Sequence, residues 1–347
     1  MLRTRLTDLY SIDAPIVLAG MGFISMPPLV AAVSNAGGLG LLGVGAAPPP
    51  VMRDLIHRVK ANTSRPFGVS FLVDSTAMGP LCTDEHISVC IEEGVDLVTF
   101  FWNAPPKEWT ERLHQSGAKV WMQLSSVEAA EAAIAAGFDA IIVQGSEAGG
   151  HNRSTAGLFS LIPAVVQTVS PTPVIAAGGI ADGRGVAAAL ALGADGVLVG
   201  SRFLSSCEAN AHPEYKLRVV EATLHDVDRT SIFGPEWPSQ PMRVLRNRVV
   251  REWQGRDGHT PPPPHPPETI GQTFLFGQPY AMPKFSAMLP TPETSGDFEE
   301  MCLTAGESAA LIYDVRPASE ILQEMVVQAE RIIAELAKTA AAKASAA

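Results

Sequence analysis

Residues 140–153, AIIVQGSEAGGHNR, place a carboxylate, two adjacent glycines and a histidine directly after an apolar run. The run AIIV lacks the polar alternation of a half-exposed strand, so it predicts a parallel strand covered on both faces. Burial of a strand does not by itself require a carboxylate, two glycines and a histidine at its end. If the strand belongs to a βα barrel, however, its C-terminal end is where ligands bind. The stretch therefore predicts a barrel whose mouth holds a functional site.

Seven further apolar runs of the same kind support a barrel. They lie at 15–20, 39–45, 67–73, 96–102, 119–125, 173–179 and 195–201. Helix-like segments separate them, and four of these end in a glycine suited to a left-handed C-cap, namely Gly94, Gly117, Gly137 and Gly193. The separations of 23, 20 and 56 residues (117 − 94, 137 − 117, 193 − 137) fit one, one and two βα units. An open doubly wound sheet is the competing α/β architecture, but eight regular units favour a (β/α)8 TIM barrel.

The repeat stops after strand eight, which predicts a second domain. Residues 207–290 contain Trp- and Arg-bearing segments and a proline run at 261–267. We expect a smaller, mostly helical domain there, inserted into a barrel made of residues 1–206 and 291–347. The proline run predicts a stiff surface segment. Residues 319–338 are amphipathic and predict a final helix packed on the barrel, with the alanine-rich end fraying.

Composition excludes several functional classes. The formal net charge is −11 and the Lys and Arg residues are scattered, which argues against a nucleic-acid partner. Residues 14–52 carry no charge, yet Gly, Pro, Ser and Asn interrupt them before a membrane-spanning helix of ~20 residues could form. The N-terminus has no signal-peptide core, so we expect a cytoplasmic protein. The four cysteines and eight histidines show no metal-type spacing, so no metal is expected.

Glycine-rich segments follow strands seven and eight and predict a phosphate site. Gly178, Gly179, Gly200 and Ser201 could bring backbone N–H groups close to an anion, and the helix starting near Asp182 would point its positive end there. Paired signals on neighbouring strands are more specific than one glycine-rich loop. Tight turns without a ligand are the alternative.

The loop after strand six supplies the chemistry. Gly149 and Gly150 would let it pass close to a planar ligand, and His151 would face the barrel mouth as a base or hydrogen-bond donor. A loop histidine that caps a backbone carbonyl is the alternative. Glu147 has three open roles: binding cofactor hydroxyls, anchoring the loop through backbone N–H groups, or lying in solvent.

Several segments resemble the nitronate monooxygenase family, formerly called 2-nitropropane dioxygenases. The resemblance covers most of the chain and is most specific in GSEAGGH (145–151) and AAGGIADG (176–183); AGMGFIS (19–25) and MPKFSAMLPTP (282–292) also carry it. It implies a TIM barrel with non-covalent FMN and no metal, a small alkyl nitronate and O2 as partners, and a homodimer as the assembly to consider.

The resemblance also implies residue roles. His151 would be the catalytic base, and Tyr280, Met282 and Lys284 would line a substrate lid. The residues implied to bind FMN are Met21, Ser70, Gln123, Gly149, Gly178, Gly179, Gly200, Ser201 and Ser308. Many relatives carry Asn where this chain has Ser70, and the shorter side chain would reach the flavin only through water.

Two other functions are consistent with the same residues. FMN-dependent reductases that use NADH or NADPH on an enoyl-ACP or a quinone share this barrel and a similar Gly-Gly-His loop, and fold does not determine function. A phosphate-binding barrel without flavin, such as a sugar-phosphate isomerase, is the third alternative.

Overall fold

The computed structural model describes residues 2–76, 79–235, 237–238, 240–255 and 268–344. Eight parallel strands form its central sheet, and all eight coincide with apolar runs of the sequence. They are β1 (Ile16–Leu18), β2 (Gly40–Gly43), β3 (Phe67–Val73), β4 (Leu97–Trp102), β5 (Lys119–Leu124), β6 (Ala140–Gln144), β7 (Val174–Ala177) and β8 (Gly196–Val199).

The sheet closes on itself. Its order is β1-β8-β7-β6-β5-β4-β3-β2, and a parallel bridge between Val17 and Leu39 joins the two ends. Leu39 donates to the carbonyl of Ile16 and accepts from the amide of Leu18, at 3.0 and 2.9 Å. The predicted TIM barrel is therefore confirmed, and the open sheet is wrong.

Helices surround the barrel. They are α1 (Arg5–Tyr10), α2 (Pro27–Asn35), α3 (Pro49–Lys60), α4 (Asp84–Glu92), α5 (Lys107–Gln115), α6 (Val127–Ala135), α7 (Leu158–Val169), α8 (Gly183–Ala191), α9 (Ser201–Leu204), α10 (Pro213–Glu221), α11 (Arg248–Glu252) and α12 (Ala318–Ala344). The four predicted C-cap glycines all have positive φ, between 57° and 99°. Helix α12 packs on both α8 and α2, so it takes the place of the eighth barrel helix, as predicted. It continues to Ala344, beyond the predicted end, because alanine is the best helix former.

Residues 207–290 are not mostly helical in their described part, which corrects the prediction. Beside α10, α11 and a 3-10 turn they contain the strands Val227–Thr230, Met242–Leu245, Thr269–Leu275 and Gln278–Pro283. The last two form a hairpin, and Ser295–Gly296 pairs with it. These strands were missed because each is short and its apolar alternation is weak, even where the partner strand is adjacent in sequence. The division at 207 and 290 stays a prediction, and the proline run lies outside the described residues.

Side chains alternate between the two faces of each strand and so form two apolar layers, one inside the barrel and one beneath the helices. Trp121, Ile142 and Leu198 point into the barrel, whereas their neighbours pack against the helices. Helix α1 covers the N-terminal end, where the Trp121 indole donates to the Tyr10 hydroxyl at 2.7 Å. The opposite end is therefore left for the site. Among the helices in the described ranges, none is long and apolar enough to cross a bilayer.

Candidate active site

Polar side chains line the inner surface of the barrel at its mouth. Ser70, Gln123 and Gln144 share the inward parity of Trp121 and Ile142. Gln123 and Ser70 are half-buried, and Gln144 is buried. Two of the predicted flavin-binding residues thus lie on the inner surface.

Ser70 packs against the loop that carries Met21. A Cβ built on Gly20 would lie 2.2 Å from the Ser70 Cβ, so glycine is required where β3 meets this loop. A Cβ built on Gly43 would likewise lie 2.3 Å from the carbonyl oxygen of Met21. Close backbone packing therefore holds the loop that carries Met21 against β2 and β3, and the sequence alone did not reveal this packing.

Glu147 anchors the loop after β6. Its Oε1 accepts from the amide of Leu158, the first residue of α7, at 2.9 Å. The N-cap of this helix is Gly157, which has no side chain to offer, so the carboxylate satisfies an otherwise unpaired N–H group. Of the three roles left open by the sequence, anchoring is the one that this hydrogen bond supports.

Two residues not singled out in the sequence hold the same loop. Asn152 is 1% exposed, and its Nδ2 donates to the carbonyls of Gly145, Ser146 and Ala148 at 2.9–3.2 Å. The guanidinium of Arg243 donates twice to Ser146 O, at 2.8 and 3.1 Å. Asn152 directly follows His151, and its position could have suggested it. Arg243 lies nearly a hundred residues away, and no sequence signal connects it with the loop.

The segment 305–308 crosses the mouth beside Gly149 and Ser201. The amide of Gly306 donates to Ser201 Oγ at 3.0 Å, and a Cβ on Gly149 would lie 2.4 Å from the Gly306 nitrogen. The close approach of the Gly306 backbone is therefore sufficient to explain why residue 149 is glycine. Ser308 is buried two residues further on, in the 3-10 turn Glu307–Leu311. Three predicted cofactor residues therefore meet here, from three separate parts of the chain.

Among the glycines after β7 and β8, Gly200 has no structural reason in the described part of the chain to be glycine, whereas Gly178 and Gly179 are explained by their positive φ. Gly178 and Gly179 have φ of 119° and 67°, and the N-cap Asp182 opens α8 just beyond them. A Cβ on Gly200 would meet only Ala19 and Met21, at 3.7 Å. That is ordinary contact and φ is negative, so neither sterics nor conformation within the described residues demands glycine there. Close approach of a bound phosphate would supply the reason, so the residues present fit such a group.

The His151 ring lies among tryptophans; the residue is half-buried, and its Nε2 is buried. Its ring centroid lies 4.7 Å from that of Trp102 and 5.5 Å from that of Trp237, both edge to face. Desolvation, with a smaller effect from the positive charge of Arg153, lowers the pKa of His151 to about 4. Its Nε2 has no hydrogen-bond partner among the described residues. The imidazole is consequently neutral near pH 7 and has a free ring nitrogen.

Of the predicted lid residues, Tyr280 and Met282 lie on the second strand of the hairpin and Lys284 directly follows it. Met282 is fully buried, and Lys284 forms ion pairs with Glu268 and Glu300 at 3.4 Å, so neither side chain is a free surface group. Tyr280 is half-buried. The hairpin turn contacts the loop after β1, where Phe276 packs on Phe23, 5.9 Å between ring centroids. The lid role of Tyr280, Met282 and Lys284 stays a prediction.

Within the described ranges, no cluster of three or more His, Cys, Asp or Glu side chains is arranged to hold a metal ion. The metal-free site stays a prediction.

Comparison with known proteins agrees with this geometry. A family model described as nitronate monooxygenase matches residues 3–328. A probable nitronate monooxygenase of Staphylococcus aureus is 32% identical over 370 residues, which cover 95% of this chain and 98% of the relative. A protein of Mycobacterium tuberculosis named (3aS,4S,5R,7aS)-5-hydroxy-7a-methyl-1-oxo-octahydro-1H-indene-4-carboxyl-CoA dehydrogenase is 32% identical, with 94% and 96% covered.

Solved structures show the same similarity. FabK from Thermotoga maritima superposes with a TM-score of 0.79 at 32% identity, covering 98% of this chain and 100% of that one. Nitroalkane oxidase from Streptomyces ansochromogenes superposes with a TM-score of 0.77 at 28% identity, covering 95% and 99%.

Proposed function

We propose, because this chain belongs to the nitronate monooxygenase family, that it oxidises small alkyl nitronates with O2 to a carbonyl compound and nitrite. It is a flavin-dependent oxidoreductase, and FMN is the flavin we propose. The observation that carries the proposal is a neutral imidazole whose buried Nε2 has no partner among the described residues, beside a glycine cradle at the barrel mouth. The sugar-phosphate alternative is excluded by family membership.

The cofactor would be held by seven parts of the chain. Gly178, Gly179, Gly200 and Ser201 would bind the phosphate, with the N-terminus of α8 adding its positive end. Met21, Ser70, Gln123 and Gly149 would lie along the ring system, and Ser308 would close the site. A bound flavin supplies the acceptor for the electrons of the nitronate, and the protein contributes binding and orientation.

His151 handles the proton. Its neutral Nε2 can accept a proton from the carbon of a neutral nitroalkane, which gives the nitronate anion beside an imidazolium. The surrounding tryptophans exclude water and strengthen the attraction between these two charges. A preformed nitronate needs no such transfer, so its turnover should depend less on His151.

An anaerobic experiment tests the proposal. Flavin-bound protein is mixed separately with propyl-2-nitronate, NADH and NADPH, and the visible flavin band is followed. Rapid bleaching by the nitronate alone supports the proposed reaction. No response to nitronate, with rapid bleaching by a nicotinamide, would overturn it.

A reductase is the second candidate, favoured by the similarity to FabK. Such an enzyme would use NADH or NADPH to reduce an enoyl thioester or a quinone at the same flavin. The anaerobic experiment separates the two candidates because each reductant is tested alone.

We further propose a cytoplasmic location and, if the chain associates, a homodimer. Separation by size of the purified flavin-bound protein, with mass measured by light scattering, checks the assembly.

A further inference from the structure

Three aromatic rings form a cluster at the mouth, which we call the indole box: Trp102, His151 and Trp237. The tryptophan centroids lie 5.6 Å apart, and all three pairs are edge to face, at 72–80°. Trp102 ends β4, and Trp237 lies in the connection between the strands Val227–Thr230 and Met242–Leu245, so separate parts of the chain converge on the histidine. Family membership assigns no role to the two tryptophans.

Both indole N–H groups are buried without a partner. Trp102 Nε1 and Trp237 Nε1 have no hydrogen bond within the described part of the chain, and neither does the neighbouring His151 Nε2. Trp121, by contrast, is buried in the same barrel and donates to Tyr10. Buried N–H groups are normally paired, so unpaired donors in one cluster point to a group that is absent from the protein itself.

The backbone of Trp102 is strained. Its φ is +83°, a conformation that is unfavourable for a bulky residue. Strain of this kind persists where the surrounding structure imposes it, and it concentrates at functional sites. The strain therefore gives a second, independent reason to assign Trp102 a function.

The cluster suits an anion. An indole N–H can only donate, and the Arg153 guanidinium carbon lies 4.9 Å from the Trp102 ring centroid. His151 is neutral, so it does not by itself balance a negative charge. Neutral donors near a cation favour a group that is rich in acceptors and negatively charged.

We propose that Trp102 and Trp237 are substrate-binding residues whose indole N–H groups donate to the oxygens of a planar, two-oxygen anion seated beside His151. That the anion is a nitronate rests on the proposed function. The indole faces would form an apolar wall for the alkyl substituents, so the preferred substrate is a branched or planar one.

Binding of a non-reacting analogue tests this assignment. Isobutyrate has a planar two-oxygen anion on a branched alkyl group, and isobutyramide is its neutral counterpart. Flavin-bound wild type, Trp102→Phe and Trp237→Phe are titrated with each by calorimetry. Phenylalanine keeps an aromatic wall and removes the N–H. Trp109→Phe is the matched control, because Trp109 is a buried tryptophan on α5, outside the box.

We expect each box variant to bind isobutyrate at least about tenfold more weakly, since a hydrogen bond to a charged group is lost. Trp109→Phe should bind it like wild type, and isobutyramide should bind weakly to all four proteins. Should Trp102→Phe fail to fold, β-(3-benzothienyl)alanine at 102 replaces only the N–H by sulfur and should give the same loss.

Unchanged isobutyrate affinity in both box variants would overturn the inference, as would a wild type that does not bind it. The outcome is separable from the proposed reaction. If nitronate bleaches the flavin but neither tryptophan substitution weakens isobutyrate binding, the proposed reaction is supported and the role of the indole box is refuted. If the tryptophan substitutions weaken isobutyrate binding but nitronate does not bleach the flavin, the role of the indole box is supported and the proposed reaction is refuted.

Discussion

The two halves of the loop after β6 differ in how their polar groups are satisfied. Between Gly145 and Ala148, the backbone carbonyls accept from Asn152 and Arg243, and Glu147 accepts from α7 through Oε1, which leaves Oε2 as the one buried oxygen of Glu147 without a partner among the described residues. At the His151 end, the buried Nε2 and the indole N–H groups of Trp102 and Trp237 have no partner in the described structure. The two halves are a few residues apart in sequence.

This difference distinguishes residues that stabilise the loop from residues that are available to a ligand. A paired buried polar group contributes to stability, because removing it leaves its partner unsatisfied. An unpaired one costs stability and is retained where a ligand uses it. Substitutions in the first half should therefore lower the free energy of unfolding, and substitutions at His151 should lower activity.

The largest effect is expected from His151→Asn. Loss of the base should lower turnover of neutral nitroalkane by about 10²–10⁴-fold and that of preformed nitronate far less. Unfolding should change little, because Nε2 has no hydrogen-bond partner among the described residues to leave unsatisfied. Steady-state oxygen uptake with both substrates and thermal unfolding of both proteins check this. Equal losses for the two substrates would contradict the role as base.

Asn152→Ala should lower the free energy of unfolding by about 1–3 kcal/mol, since three loop carbonyls lose a donor and the carbonyl of Ala148 has no other donor among the described residues. Denaturant unfolding of the flavin-free protein measures it. Asn62→Ala is the control, because Asn62 is exposed and donates to a single carbonyl, that of Arg58. A loss no greater than that of the control would mean that the loop does not depend on Asn152.

Gly179→Val should weaken flavin binding by about 10–100-fold, the cost of a bulky group in the cradle. Gly137→Val has comparable backbone strain, with φ of 87° against 67°, but a Cβ there meets nothing within 4 Å. Both variants should be destabilised, and only the first should lose flavin. Full flavin occupancy in Gly179→Val, measured by absorbance after gel filtration, would refute the cradle.

The smallest effect concerns pH. The pKa of His151 is about 4 in the folded chain, below its usual value near 6.5, so between these values only the unfolded chain takes up the proton. Stability should fall as the pH falls from 6.5 toward 4, by roughly 2 kcal/mol at pH 5. Unfolding of wild type and His151→Asn at pH 7 and 5 isolates this contribution. If the difference in the free energy of unfolding between the two proteins is the same at both pH values, the histidine is solvated in the folded chain.

Much of the fold was predictable because barrel strands are local in sequence. Each is a short apolar run followed by a helix and a C-cap glycine, and the positive φ values at Gly94, Gly117, Gly137 and Gly193 agree with that pattern. The strands near 227–245 and 269–283 were not predictable in the same way. Their alternation is weak, and their partners include Gly150–His151 and Ser295–Gly296, which lie far away in the chain.

The candidate site was predictable to the extent that the ends of β6, β7 and β8 mark it. His151, Gly179 and Gly200 follow those strands directly. Arg243 and Trp237 come from elsewhere, and only packing brings them to the mouth. Trp102 ends β4, so its position alone could have suggested it, although its left-handed backbone could not be foreseen.

By itself, the sequence determined the barrel, its functional end and the residues that follow each strand, because these depend on local apolar patterning. Tertiary structure decided which polar groups are satisfied. Glu147 became an anchor and His151 a neutral, unpaired base, since burial and hydrogen bonding depend on neighbours supplied by distant segments. No local pattern records the desolvation that sets the pKa of a histidine.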